Sequence, residues 1–294
     1  ADTHYFVWSH HHLLLDGWSL PLLLQEVFAF YEAHQQGQAI QPESARPYRD
    51  YIAWLQERDA AQAESFWRRT LKGFAAPTPL VVDRKLKDET EYAVERTRLS
   101  AEITSALQSL ARAQQVTLST ILQGAWAILL HRYSGEEDVV FGATVSGRPA
   151  DLPGAETMVG LFINTLPIRV QLSPEASTLS LLKTLQAQQA EQSQYEYGSL
   201  AQIQEWSDVP RGPSTSSGQA QPLFESILVF ENYPVDASLR ELKGSLKFQD
   251  IHSIEQTNYP LTVVSGPGAQ LPLKIAYDGN RFSADTIRRM LGHL

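Results

Sequence analysis

The hydrophobic pattern changes from strand-like to helical periodicity in the first quarter of the chain. Residues 4–12 are rich in aromatic and β-branched types, which is typical of a strand. Residues 20–36 instead place apolar positions at helical spacing and stop before Gly37. Residues 48–72 keep the helical spacing on one face. The pattern therefore predicts a strand, a helix, and then one long amphipathic helix or two.

The remainder of the chain mixes the two periodicities without an internal repeat. We predict strands over 93–99, 138–147, 161–170, 226–233, 261–266 and 273–278. We predict helices over 100–114, 118–132, 178–195 and 283–294. The helix over 118–132 is apolar on nearly every face, so we expect it to be buried. The predicted class is a mixed α/β or α+β fold in two lobes.

Two segments lack the periodicity of either element. Residues 73–83 contain proline between apolar positions, and a lobe boundary is predicted there. Residues 207–222 hold proline, glycine and serine with almost no apolar side chains. This composition predicts a flexible surface loop, to which the sequence assigns no function.

Composition and charge exclude several classes of function. The 294 residues are 43% apolar, which is enough to build one large core or two. The formal net charge of −9 argues against nucleic acid and against an anionic membrane as partners. The chain has no cysteine, which excludes a disulfide framework and a thiol nucleophile. Because the absence of cysteine fits a reducing cytoplasm, a cytoplasmic protein is expected. No apolar run approaches the length of a membrane span.

Three adjacent histidines precede a leucine run in the stretch SHHHLLLDGWS, residues 9–19. An expression-tag remnant is a poor explanation, because the run is short and lies inside a predicted strand. His10 and His12 share a face, which His4 could extend into a metal site, but no acidic residue or cysteine completes a recognised spacing. The rings could instead be structural, or one could be catalytic as a proton acceptor. Composition alone leaves these alternatives open.

Asp16 directly follows the leucine run and precedes Gly17. A carboxylate among leucine and tryptophan side chains needs a partner if they are buried, most simply an arginine. Gly17 permits a tight turn there. A strand that ends in two histidines and then turns would present an imidazole at the tip between two elements.

Several segments, in order, resemble the condensation domains of nonribosomal peptide synthetases. HHLLLDG at 11–17 matches their HHxxxDG motif, which some other acyltransferases share. The segments that follow it resemble further motifs of the family over almost the whole chain: YRDYIAW at 48–54, VVFGATVSGRP at 139–149, MVGLFINTLPIR at 158–169, NYPL at 258–261 and the last eighteen residues.

The resemblance implies a two-lobed, V-shaped fold like that of chloramphenicol acetyltransferase. The family carries a substantial segment before the histidine motif, whereas ten residues precede it here. We therefore expect most of the first lobe to be missing. The expected division is a remainder of the N-terminal lobe over 1–75, an inter-lobe linker over 76–95 and the C-terminal lobe over 96–294.

The resemblance also implies the chemistry, which is amide formation by acyl transfer. The amine of a downstream aminoacyl thioester attacks an upstream acyl or peptidyl thioester. Phosphopantetheine arms of neighbouring carrier domains hold both substrates, and an adenylation domain is a further expected partner. No cofactor and no metal are expected to bind the chain directly, and neither nucleic acid nor membrane is an expected partner.

The resemblance assigns roles to residues of the motifs. His12 takes the central role, either as general base or as a group that positions the amine. His11 is expected to face away from the active site, and Gly17 to support the turn. Asp16 is expected to pair with an arginine and brace the loop. Arg148 is the candidate partner, although a surface arginine that caps a loop is an alternative explanation.

Two asparagines of the later motifs are supporting candidates. Asn164 is interpreted first as a strand-end residue and only second as catalytic. Asn258 could donate a hydrogen bond near the substrate or serve turn chemistry before Pro260.

The subtype and the class of function each have alternatives. DGWSL after the histidines favours condensation over epimerisation, and the intact histidines disfavour heterocyclisation. The stretch looks most like domains that join an L-residue to an L-aminoacyl acceptor. The rival functions are a free-standing acyltransferase that uses CoA thioesters and a non-catalytic docking domain with the same fold.

Overall fold

The computed structural model describes residues 4–40, 45–80, 92–210, 221–232 and 256–294. These residues divide into two compact units by their backbone contacts. The first unit contains 4–40, 45–58 and 146–163 of the described chain. The second unit contains the rest, from Asp59 onward apart from that insertion. Residues that are far apart in sequence therefore meet in the first unit.

The regular structure described in the first unit is helical. Helix α1 spans Ser19–Gln35, α2 spans Arg49–Gln56, and a single 3-10 turn spans Ala155–Thr157. A small core contains the buried residues Tyr51, Leu152, Ala155, Met158 and Phe162. This core joins α2 to the segment that arrives from residue 146 onward.

The strand predicted over residues 4–12 does not form, and this prediction was wrong. Residues 4–11 carry no regular structure, and Tyr5, Phe6 and Val7 are exposed. A strand persists only where a neighbouring strand accepts its hydrogen bonds. All six strands of the described chain lie in the sheet of the second unit, so this segment has none to pair with there. Its aromatic composition indicated burial, which the described residues do not supply.

One mixed six-stranded sheet organises the second unit. Its strands are β1 Tyr92–Arg98, β2 Asp138–Val145, β3 Asn164–Gln171, β4 Ser226–Phe230, β5 Leu261–Ser265 and β6 Pro272–Asp278. Their order across the sheet is β1-β6-β5-β4-β2-β3. The β4 strand pairs in parallel with β2 and β5, while the remaining pairs are antiparallel. The six predicted strands after residue 90 are all present, and the predicted mixed α/β class is confirmed.

Helices cover the sheet of the second unit. They are α3 Ala60–Leu71, α4 Ala101–Gln114, α5 Leu118–Ser134, α6 Thr178–Gln192, α7 Leu200–Trp206 and α8 Ala284–His293. Helix α4 is capped by Ser100, the first residue of the predicted helix, whose side chain accepts the N–H of Ile103. Helix α7 was not predicted, although Ser199 and Gln202 form a capping box at its start.

Strand β2 has buried residues on both faces. Val139, Phe141 and Ala143 belong to the larger core, with the side chains of α5 and α8. Val140 belongs to a second core, with side chains of α3 and α7. A sheet covered on both faces requires continuous apolar strands, which explains the sequence DVVFGATV.

The predicted lobes and the observed compact units divide the chain differently. Helix α3 lies within the predicted remainder 1–75, yet it belongs to the second unit. Residues 92–95 of the predicted linker 76–95 are part of β1, and residues 81–91 lie outside the described chain. The boundary between the predicted lobes remains a prediction.

The predicted surface loop over 207–222 is described only at its two ends. Residues 211–220 lie outside the described chain. At the first end, Val209 is buried and the Asp208 carboxylate accepts the N–H of Gly73 at 2.7 Å. That end is therefore anchored by Val209, although Asp208 and Pro210 on either side are exposed.

Gly142 provides a test of the packing between β2 and β4. A Cβ at this position would lie 2.3 Å from Cε2 of Phe224 and 2.8 Å from Cγ2 of Ile227. We expect Gly142→Ala to lower the free energy of unfolding by about 1–3 kcal/mol, because both neighbours are buried and must move. Urea denaturation measures this change. Gly292→Ala in α8 is the control, since its Cβ would meet nothing within 4 Å, and an equal loss there would contradict the explanation.

Candidate active site

The histidine motif forms a short turn that leads into α1. The N–H of Leu14 donates to the carbonyl of His11 at 3.0 Å, and the N–H of Leu13 donates to Nδ1 of His11 at 3.1 Å. The His11 ring therefore stabilises its own turn. The next ring, His12, is exposed at the tip of that turn. After the turn, Leu15 and Asp16 are buried.

Asp16 is the anchor of this turn, and its side chain is only 3% exposed. Oδ1 accepts the backbone N–H and the hydroxyl of Ser19 at 2.9 and 2.8 Å, and Nη2 of Arg148 at 3.1 Å. Oδ2 accepts the N–H of Phe162 at 3.2 Å. A carboxylate with this many donors is fully used as an acceptor. Its oxygens are therefore occupied by donors of the protein itself.

Arg148, the candidate that the family resemblance suggested, forms an ion pair with Asp16 through Nη2 and Oδ1 at 3.1 Å. Its side chain is 6% exposed, so the ion pair is buried on both sides. Nη1 donates to the carbonyls of Ala155 and Met158, and the guanidinium carbon lies 4.1 Å from the ring centroid of Phe162. Burial lowers the pKa of Arg148, while the Asp16 charge opposes that shift. The alternative of a surface arginine is therefore wrong.

Two glycines let the backbone close around this ion pair. Gly147 has φ +62°, and a Cβ there would lie 1.8 Å from the carbonyl oxygen of Phe162. A Cβ at Gly160 would lie 2.1 Å from the ring of Tyr48. Both positions therefore require glycine, the first also for its left-handed backbone. Gly17 of the motif lies in the turn between Asp16 and α1.

Tyr48 closes the site from the start of α2. Its hydroxyl donates to the carbonyl of Leu161, and its ring meets Phe162 edge-on at 5.1 Å. Burial, and then the negative charge of Asp16, raise the pKa of Tyr48, while Arg148 opposes the shift.

Sequence reasoning did not identify four residues that build this site. They are Ser19, Tyr48, Gly147 and Gly160. Each lies within or beside one of the motif-like segments, which were the signals that could have pointed to them. The motif-like segments indicate which parts of the sequence contribute to the site. The contacts between these parts depend on the folded backbone.

The supporting asparagines lie in the second unit. Asn164 begins β3, and its Nδ2 donates to the carbonyls of Glu196 and Gly198, both at 2.8 Å. This matches its interpretation as a strand-end residue. Asn258 is exposed in the bend that precedes β5. Its role remains a prediction.

Glu196 carries a strongly perturbed carboxyl group. Burial raises its pKa to about 7, and burial is the whole cause. The backbone of this residue is fixed by Asn164, and Tyr195 beside it stacks on Phe66 at 4.4 Å. Sequence reasoning missed this group because its burial depends on long-range packing.

The described residues show neither a metal cluster nor a membrane-spanning helix. Among them, no three histidine, cysteine, aspartate or glutamate side chains are grouped so that they could hold a metal ion. Within the same residues, no helix has the length and apolarity needed to cross a membrane.

Comparison with protein families gives a match along the whole chain. The model of the Condensation domain family matches residues 1–294. The chain belongs to this family. Condensation domains of nonribosomal peptide synthetases are amide-bond-forming acyltransferases. The predicted family is thereby confirmed.

One relative and two solved structures describe this similarity. The condensation domain is 50% identical over 298 residues to a linear gramicidin synthase from Brevibacillus parabrevis, covering 100% of this chain but 6% of that protein. A crystal structure of a four-domain nonribosomal peptide synthetase bound to AMP and glycine aligns with TM-score 0.76 at 19% identity, over 94% of this chain and 22% of the other. The X-domain in complex with OxyB from teicoplanin biosynthesis aligns with TM-score 0.73 at 23% identity, over 95% and 63%.

Removing the cation of the buried pair tests its contribution to stability. We expect Arg148→Met to lower the free energy of unfolding by about 3–5 kcal/mol, because Asp16 is left as a buried charge without its counter-ion. Urea denaturation followed by tryptophan fluorescence measures the loss. The control is Arg68→Met, which removes an exposed pair with Glu64 and should change stability by less than about 1 kcal/mol. Equal losses would contradict a special role for the buried pair.

The raised pKa of Glu196 predicts a pH dependence of stability. The folded protein holds this proton more tightly than the unfolded chain, whose pKa is the usual 4.5. The contribution of the Glu196 proton to the free energy of unfolding is therefore complete below pH 4.5, declines as the pH rises to about 7, and is lost above that pH. We expect Glu196→Gln to flatten this part of the curve of melting temperature against pH. The exposed Glu191, which pairs with Arg69, supplies the control Glu191→Gln. A wild-type slope retained in Glu196→Gln would contradict the assignment.

Proposed function

We propose that this condensation domain joins two carrier-bound substrates through an amide bond. The amine nitrogen of a downstream aminoacyl thioester attacks the carbonyl carbon of an upstream acyl or peptidyl thioester. The new C–N bond forms, the C–S bond breaks, and the sulfur leaves as a thiolate. The proton lost by the amine is returned to that sulfur or to solvent. Because aminolysis of a thioester is favourable, the main task is to bring two tethered groups together.

The observation that carries the proposal is the exposed His12 ring on a turn with a buried anchor. In the described part of the chain, no hydrogen bond occupies that ring, so it is available to a substrate. A neutral imidazole can accept the amine proton during the attack, or accept a hydrogen bond that orients the amine. Either role requires the ring to be held in one place.

The neighbouring residues of the motif receive supporting roles in this proposal. Asp16 and Arg148 brace the turn, and the saturation of the Asp16 oxygens supports a role other than base. The backbone contact of His11 supports a structural role for its ring. Gly17 leaves room beside the turn.

The two asparagines keep lesser roles in the proposal. Asn164 acts through the turn at 196–198, whose carbonyls it holds. Asn258 is retained as a candidate hydrogen-bond donor near the substrate.

The partners in this proposal follow from the relatives. The chain spans a small fraction of the synthase that it matches at 50% identity. We infer that peptidyl carrier domains on either side deliver the substrates on phosphopantetheine arms, next to an adenylation domain in the cytoplasm. We further propose that both joined residues are L-configured, which the sequence DGWSL after the histidines supports.

A second candidate is a non-catalytic docking domain. The X-domain, which the solved structure records in complex with OxyB, shares this fold at 23% identity. The fold is therefore compatible with recruitment of a partner as well as with catalysis. The intact histidine motif favours catalysis, because a docking domain has no need of the His12 ring.

Loss of the His12 imidazole tests the proposal. We expect His12→Ala, in the full-length protein that carries this chain, to lower kcat for amide formation by about 10²- to 10⁴-fold if the ring is a general base. The assay uses carrier domains loaded with L- or D-donors and an L-aminoacyl acceptor, and it follows the condensed product by mass spectrometry. Preference for the L-donor would support the proposed subtype.

The neighbouring His10→Ala is the matched control, since it removes an exposed imidazole from the same segment. We expect it to keep activity near that of the wild type. Equal activity of His12→Ala and the wild type would exclude the catalytic role. Absence of product from the wild type itself would favour the docking function.

A further inference from the structure

Ser19 is fully buried at the start of a helix whose other residues are mostly accessible. It begins α1, in which only Ser19 and Ala33 are buried. Its exposed fraction is 0%, which is unusual for a serine. Its hydroxyl lies between the HHxxxDG segment and the segment that contains Gly160. These two segments are separated by more than a hundred residues of sequence.

The hydroxyl of Ser19 uses its whole hydrogen-bonding capacity. It donates to Oδ1 of Asp16 at 2.8 Å and lies 3.0 Å from the carbonyl oxygen of Gly160. It accepts the N–H of Gly160 at 3.1 Å and Nη2 of Arg148 at 3.2 Å. A hydroxyl has one hydrogen and two lone pairs, so no further partner is possible. Ser19 thus contacts both members of the ion pair and the opposing backbone.

These contacts are connected to the histidine turn through the backbone of Asp16. The N–H of Asp16 donates to the carbonyl of Gly160 at 3.2 Å, which ties the end of the turn to the backbone that Ser19 also holds. The tip of the turn, with His12, is exposed and lies four residues before that tie. The position of the imidazole therefore depends on how firmly Asp16 is fixed to Gly160.

We propose that Ser19 is a positioning residue that fixes Asp16 against Gly160 and thereby holds His12 in its working position. This inference rests on the proposed function for its kinetic consequence. In the Asp16–Arg148 pair, Nη2 of Arg148 lies 3.1 and 3.4 Å from the two carboxylate oxygens, and the remaining donors add further constraints on the orientation of the carboxylate. Ser19 provides two of those donors, its backbone N–H and its hydroxyl, at 2.9 and 2.8 Å.

A merely structural buried serine would behave differently from a positioning one. Ser265 in β5 is the matched comparison, because it is 2% exposed and its hydroxyl donates to the carbonyl of Pro272 at 2.7 Å. Truncation of either serine removes one buried hydroxyl from the fold. Only truncation of Ser19 also removes a donor from Asp16. The two variants therefore separate stability from positioning.

The kinetic test compares Ser19→Ala and Ser265→Ala in the full-length protein with carrier-loaded substrates. We expect Ser19→Ala to lower kcat about 10- to 100-fold with little change in KM, the range expected for loss of a hydrogen bond to a charged group. Ser265→Ala should keep kcat within about twofold of the wild type. Ser19→Thr, which keeps the hydroxyl, should restore most of kcat even if the added methyl lowers the melting temperature. Equal kcat losses in the two alanine variants would overturn the proposal.

An NMR measurement tests the same inference without activity. With histidine labelled in the ring, we expect the His12 signals of Ser19→Ala to broaden or split, because the turn samples several positions, while those of His293 stay unchanged. The Gly160 amide should exchange faster with solvent. Unchanged His12 signals would overturn the inference. If the wild type forms no amide yet Ser19→Ala shows these NMR changes, the proposed function fails and the positioning role stands.

Discussion

The buried ion pair between Asp16 and Arg148 is the constraint on which the first unit depends. Each charge is nearly inaccessible to water, and neither would be tolerated there alone. The two charges meet because residues 146–163 lie beside the HHxxxDG segment. Gly147 and Gly160 allow the close backbone packing that this requires. The ion pair thereby joins parts of the sequence that share no regular structure. The histidine turn has a defined position because the residue that ends it, Asp16, belongs to this pair.

The residues of the HHxxxDG motif differ in what their side chains contact. Asp16 has both oxygens engaged, so its charge serves the fold. His11 is engaged with its own backbone. His12 remains the ring that a substrate can approach. The proposed chemistry therefore depends on one imidazole, and in this proposal the Asp16 carboxylate contributes by fixing the end of the turn that carries it.

Sequence reasoning succeeded where the signal was local and failed where it depended on distant packing. Strand β2 was predictable because a strand buried on both faces must be apolar throughout, and α4 and α8 because serine caps precede them. The prediction of a strand over residues 4–12 was wrong, because composition does not reveal whether a neighbouring strand is present to pair with it. The need of Asp16 for a cation followed from its neighbours, whereas the choice of Arg148 came from the family resemblance. The raised pKa of Glu196 could not be predicted from the sequence, because it depends on burial by elements that are distant along the chain.

Catalysis without a covalent nucleophile places unusual weight on geometry. The chain has no cysteine, and aminolysis of a thioester requires little beyond orientation and the transfer of one proton. An error of about 1 Å in the position of the imidazole can cost as much as the loss of a chemical group. In the proposed mechanism, the residues that fix the turn therefore also affect the rate. The proposed mechanism thereby gives a reason for the many hydrogen bonds that converge on the Asp16 carboxylate, and for the burial of Ser19 at the start of a mostly accessible helix.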